Sequence, residues 1–150
     1  MTEQNRKTAG SPSKRSPSKP MVYVVDPDEV VRESLRVLLA TFGVTAEGFP
    51  DAEAFLAAFE SGRPGCLVTE VDLPGRDGVA LIEHLNARDL SLPAIVVARN
   101  ADVGSAVRAM RAGAVDYLEK PFVDRVLVER LFQVLAHQSA AASCAGKVLS

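Results

Sequence analysis

Tryptophan is missing from this sequence, and cysteine occurs twice, as Cys66 and Cys144. Two cysteines without a metal-ligand spacing exclude a disulfide-stapled scaffold and a thiolate zinc site, and they suit a reducing compartment. No apolar run approaches the roughly 18 residues needed to span a bilayer. The N-terminus lacks the apolar core of a signal peptide. The expectation is therefore a cytoplasmic protein with no membrane partner. There is no Ser–His–acid set, and no glycine-rich phosphate loop follows the first strand-like run, which argues against a hydrolase or a flavodoxin-like enzyme. Lysine is scarce in the body of the chain: Lys120 is the only one between Lys19 and Lys147.

What is present is the composition of one globular domain, 47% apolar and 24% charged over 150 residues. The net charge of −2 hides an asymmetry. Residues 1–20 carry five cations against Glu3, 5 − 1 = +4, and the rest carries 12 basic and 18 acidic residues, or −6. The arm repeats SPSK and has no apolar period, so residues 1–20 are expected to be disordered. A basic arm of this kind is either a solubilising tail or a nucleic-acid contact.

From Met21 the pattern changes to strand-like and helical runs in alternation. Met21–Val25 is a short β-branched run ending at Asp26. A helical period follows, with Val31, Leu35, Leu38 and Phe42 on one face, closed by Gly43. Val44–Phe49 is a second strand, and Asp51 caps a second helix carrying Phe55, Leu56 and Phe59. Cys66–Glu70 is a third strand, Leu73–Gly78 a loop, and Val79, Ile82 and Leu85 mark a third helix. Pro93–Ala98 is a fourth strand, and Asp102 caps a fourth helix carrying Val103, Val107 and Met110. Tyr117–Glu119 is a fifth, and a last helix runs through Val126, Leu127, Leu131, Phe132 and Leu135. The domain is expected over residues 21–137, with a flexible tail over 138–150. Continuous apolar strands alternating with amphipathic helices predict an α/β fold, a doubly wound five-stranded parallel sheet. In such sheets functional groups collect at the carboxyl ends of the strands. Those ends here are Asp26, Glu70, Ala98 and Lys120.

The segments VYVVDPDEVVRESL (Val22–Leu35), PDAEAFLAAF (Pro50–Phe59), CLVTEVDLPGRDGVALIEHL (Cys66–Leu85) and LPAIVVARNADVGSAVRAMRAGAVDYLEKPF (Leu92–Phe122) carry a resemblance. Over these residues the chain resembles the receiver domain of two-component response regulators, in the nitrogen-fixation-regulator-like subgroup. The resemblance implies a (βα)5 flavodoxin-like receiver fold. It also implies a site in which two acids after strand one and an acceptor aspartate after strand three hold Mg²⁺. That aspartate takes phosphoryl from a histidine kinase, a lysine takes up charge, and a Thr or Ser after strand four draws an aromatic residue of strand five inward.

Matched residue by residue, Asp26 stands for the first acid and Lys120 for the lysine, with Pro121 the proline that usually follows a cis bond. Tyr117 stands for the switch aromatic, and Asp72 falls where a backbone carbonyl would ligate the metal. Three positions depart. Pro27 replaces the second acid, Glu70 the acceptor aspartate, and Ala98 the Thr or Ser. The resemblance with these departures implies a stand-alone pseudo-receiver in phosphorelay signalling. It would need no cofactor, or hold Mg²⁺ only weakly through Asp26, Glu70 and Asp72. It would work by contact with a histidine kinase, another regulator or a second copy. The partner face would be the fourth helix, fifth strand and fifth helix, with Arg108, Arg111, Asp116, Tyr117, Glu119 and Arg125. The alternatives are a conventional phospho-accepting receiver with weakened Mg²⁺ chemistry, and a regulator that contacts nucleic acid through the basic arm.

Overall fold

The computed structural model describes residues 19–149 except 91 and 123. The basic arm lies, up to residue 18, outside the described residues. The elements alternate: β1 (Met21–Val25), α1 (Glu29–Thr41), β2 (Thr45–Phe49), α2 (Ala52–Ala58), β3 (Gly65–Glu70), α3 (Gly78–Ala87), β4 (Ala94–Ala98), α4 (Val103–Arg111), β5 (Asp116–Glu119) and α5 (Asp124–Leu149). All neighbouring strands pair in parallel, in the order β2-β1-β3-β4-β5.

Strand side chains alternate between faces, so each strand feeds two cores. Tyr23, Val25, Leu67 and Val96 pack with Phe55, Leu81, Leu85 and Ala109 on the side of α2, α3 and α4. Val22, Val24, Cys66, Val68, Ile95 and Val97 pack with Leu35, Leu39, Leu127 and Leu131 on the side of α1 and α5. Four helices start on an aspartate whose carboxylate accepts a backbone N–H of the first turn: Asp28 from Val30, Asp51 from Ala54, Asp77 from Ala80 and Asp102 from Ser105. Each such cap contributes about 1 kcal/mol.

The helix faces differ from the sequence reading at three places. On α1 the buried positions are Leu35 and Leu39, while Phe42 is 52% exposed and meets Phe132 edge-on at 6.0 Å. On α4 the large apolar residues point outward: Val103, Val107 and Met110 are 80%, 42% and 50% exposed, and only Ala109 is buried. Alanine at the contact lets the helix lie close to the sheet, which leaves the larger side chains no room inside. The third difference is length. Helix α5 continues to Leu149, past His137 where the sequence reading begins a flexible tail. The alanine-rich run after Leu135 is a strong helix former without proline, so nothing in it stops the helix.

Cys66 is fully buried, and burial pushes its thiol up to about 12. In a Cys144→Ser background, Cys66 should not react with a disulfide reagent at pH 8 until the protein is unfolded. Reaction of the native protein at the rate of a free thiol would contradict this packing.

Candidate functional site

The carboxyl ends of β1, β3 and β5 bring Asp26, Glu70 and Lys120 together. Asp26 is the residue after β1 and is 1% exposed. Its backbone N–H continues the ladder to Phe49 C=O at 3.0 Å, and its Oδ1 accepts the Asp28 N–H at 2.9 Å. The Arg32 guanidinium donates to the Asp26 carbonyl at 2.6 Å, and the Arg32 stem fills the space a side chain at Gly48 would take. The loop that presents Asp26 is thus pinned on both sides.

Glu70 ends β3 and is 1% exposed. Lys120 lies one residue past β5, and its N–H donates to Ala98 C=O at 2.9 Å, so its position is set by the same sheet. The Lys120 ammonium lies 2.6 Å from Asp26 Oδ2 and 2.8 Å from Glu70 Oε1. The contact to Asp26 is an aligned hydrogen bond, whereas that to Glu70 Oε1 is a charge contact without an aligned donor. The other Glu70 oxygen, Oε2, accepts the backbone N–H of Asp72 at 3.1 Å and of Arg99 at 3.4 Å. One carboxylate therefore collects an ammonium and two loop amides.

Burial works to lower the Lys120 pKa. The close contacts with Asp26 and Glu70 and their negative charge outweigh it, and the ammonium is held above its ordinary 10.5.

Gly78 is the structural reason Glu70 sits where it does. A Cβ there would lie 2.1 Å from the Glu70 carbonyl oxygen and 3.0 Å from Thr69 Oγ1. The start of α3 passes directly against the end of β3, where only glycine fits. Gly78→Ala should cost about 1–3 kcal/mol by overpacking and displace Glu70 from Lys120. Equilibrium denaturation reads the first effect, and a fall in the alkaline pKa of Lys120 reads the second. Wild-type values for both would contradict the close approach. The sequence reading placed Gly78 merely in a turn.

The remaining predicted positions do not join the cluster. Pro27 is exposed and offers no carboxylate. Asp72 is exposed, and its carboxylate faces the Asn100 amide at 3.5 Å. Ala98 is buried at the end of β4, with no hydroxyl to offer. Tyr117 bonds away from the cluster, to Ser105 of α4 at 2.5 Å. Among the described residues no three His, Cys, Asp or Glu side chains are grouped to hold a metal ion. The peptide bond between Lys120 and Pro121 is cis, as the resemblance implied. Sequence reasoning missed Arg32, Arg99 and Ser105. Arg99 acts through its backbone, which no residue type announces, and Ser105 is a small polar residue on a helix with no spacing signal.

Residues 22–132 match the response regulator receiver domain family. The transcriptional regulatory protein FixJ of Rhizobium meliloti is 42% identical over 120 residues, covering 80% of this chain and 59% of that protein. The DNA-binding transcriptional regulator NtrC of Salmonella typhimurium is 40% identical over 113 residues, covering 73% of this chain and 24% of that protein. The crystal structure of FixJ-N matches with a TM-score of 0.73 at 40% identity, over 80% of this chain and 96% of that one. A receiver protein from Pseudoalteromonas atlantica matches with a TM-score of 0.74 at 37% identity, over 79% and 99%. The matched region thus spans little more than half of FixJ and about a quarter of NtrC. This chain belongs to the response regulator receiver domain family of two-component signalling.

Proposed function

We propose that this receiver domain signals without being phosphorylated, as a protein-interaction module whose acidic pocket carries its own anion. The supporting observation is the Glu70 carboxylate, which engages Lys120 and the N–H groups of Asp72 and Arg99 together. Converging backbone amides and a lysine are the means by which proteins hold a phosphoryl oxygen. Here they are already engaged, so an incoming phosphoryl group would have to displace Glu70 from its own partners.

The residues present do not fit Mg²⁺. The ion requires near-octahedral oxygen coordination with one or two carboxylates. Asp26 and Glu70 both face the Lys120 ammonium, Pro27 supplies nothing, and Asp72 is turned to Asn100. No step of the proposed function passes through the metal.

Output then rests on the surface of α4, β5 and α5. Two of its charges are engaged within the chain: Arg108 with Asp77 at 3.3 Å and Asp116 with Arg130 at 2.6 Å. The exposed apolar row Val103, Val107 and Met110 is what that face offers a signalling partner, and Arg111, Glu119 and Arg125 are exposed on the same three elements. Mixed charge at the rim of an apolar centre favours pairing with a complementary protein surface.

Incubation with acetyl phosphate and Mg²⁺, read by intact mass, tests the proposal. The wild type should show no incorporation above a Glu70→Gln control. Incorporation that the control abolishes would show a conventional, slow receiver instead.

A further inference from the structure

Tyr117 and Ser105 form a contact that the acidic pocket does not explain. Tyr117 lies on β5 beside Val96 of β4, on the face that packs toward α4, and is half-buried against the core there. Its hydroxyl meets Ser105 Oγ at 2.5 Å, and Ser105 Oγ also lies 3.3 Å from the Asp102 carbonyl oxygen. A serine hydroxyl has one proton, and a carbonyl can only accept. When the Ser105 proton is on Asp102, Tyr117 donates to Ser105, and the order runs from Tyr117 O–H to Ser105 O–H to the Asp102 C=O; with Ser105 donating to Tyr117 the same inter-element contact is kept. Asp102 is also the cap of α4, its carboxylate accepting the Ser105 N–H at 2.7 Å. Ser105 therefore ties the first turn of α4 to β5 through Tyr117 and to its own cap through Asp102.

We propose that this relay is a built-in latch that fixes the α4–β5 surface independently of the acidic pocket. The inference deepens the phosphorylation-independent reading given above and rests on it. Ala98, at the end of β4, has no hydroxyl with which to link the pocket to Tyr117. The residue that holds Tyr117 belongs instead to α4, the element that carries the exposed row Val103, Val107 and Met110. The latch thus sets the position of that row from within the output surface. Arg108, one turn further on and paired with Asp77 at the start of α3, gives the same helix a second anchor. A hydroxyl–hydroxyl bond of this kind is modest, so the latch is one that partner binding could open.

Backbone amide exchange on the full chain, without any phosphodonor, tests the latch. In Tyr117→Phe, exchange across Val103–Arg111 should rise about five- to tenfold, the equivalent of one net hydrogen bond, while β1 and β3 keep wild-type rates. Ser105→Thr retains the hydroxyl and should stay within about twofold of wild type by the same argument. Ser105→Ala combined with Tyr117→Phe should exchange no faster than Ser105→Ala alone, because both changes remove the same bond. Wild-type exchange in Tyr117→Phe, or additive effects in the double variant, would overturn the latch. Neither result bears on Glu70. A latch that fails leaves the pocket reading standing, and a domain that takes up phosphate would leave the exchange result to stand alone.

Discussion

Lys120→Met should destabilise the domain by roughly 3–5 kcal/mol at pH 7, the range found when one partner of a buried ion pair is removed. Asp26 and Glu70 are each 1% exposed, and the Lys120 ammonium contacts both. With the methionine in place, two carboxylates would face each other without a counter-ion. The loss should be largely recovered by adding Asp26→Asn and Glu70→Gln, which remove the charges the lysine no longer meets. The wild type should show a matching pH dependence. The Lys120 pKa is raised in the folded state, so its stabilisation is complete below about 10.5, the ordinary lysine value. That stabilisation is lost as pH climbs through the higher folded value. Between pH 7 and 9 this group therefore adds no slope. Above that range the wild type should lose stability faster than Lys120→Met. Urea denaturation across these pH values measures both effects. A Lys120→Met protein within about 1 kcal/mol of wild type would place the contact among weak surface pairs.

The second large effect is a gain. On the proposed phosphorylation-independent function, Pro27→Asp, Glu70→Asp and Ala98→Thr together should give a domain that responds to a phosphodonor with Mg²⁺ where the wild type does not. Glu70→Asp withdraws the carboxylate by about one carbon–carbon bond, roughly 1.5 Å, away from Lys120 and the two loop amides. Pro27→Asp returns a carboxylate beside Asp26, and Ala98→Thr returns a hydroxyl at the end of β4. Misplacements near 1 Å can cost about 100-fold in rate, so the single change Glu70→Asp should recover only a small part of what the triple variant recovers. Phosphate incorporation followed over time in the single, double and triple variants reads this directly. Full recovery from Glu70→Asp alone would mean that Pro27 and Ala98 do not matter.

The sequence carried the alternation of strands and helices, the parallel sheet and the meeting of Asp26, Glu70 and Lys120, because each depends on period and on strand ends. A β-branched run that stops at an acid places that acid at an edge whatever its neighbours do. The face of α4 was not legible. Val103, Val107 and Met110 have the spacing of a core stripe, and their exposure follows from how closely Ala109 lets the helix approach. The same limit hid the Glu70 oxygens. The side chain was readable as lying at the same strand-end edge as Lys120, but the N–H groups of Asp72 and Arg99 belong to loops whose path no residue type specifies. Gly78 belongs with these. Its glycine was visible, yet its reason is a carbonyl oxygen on a strand it does not pair with.

On the proposed function the pocket carries its own anion and does not answer to phosphate. Amide NMR spectra of the wild type, recorded before and after addition of beryllofluoride with Mg²⁺, test it most directly. The two spectra should superimpose, with Glu70, Asp72, Arg99 and Lys120 unmoved. Clear shifts at those four residues, spreading to α4 and β5, would contradict it.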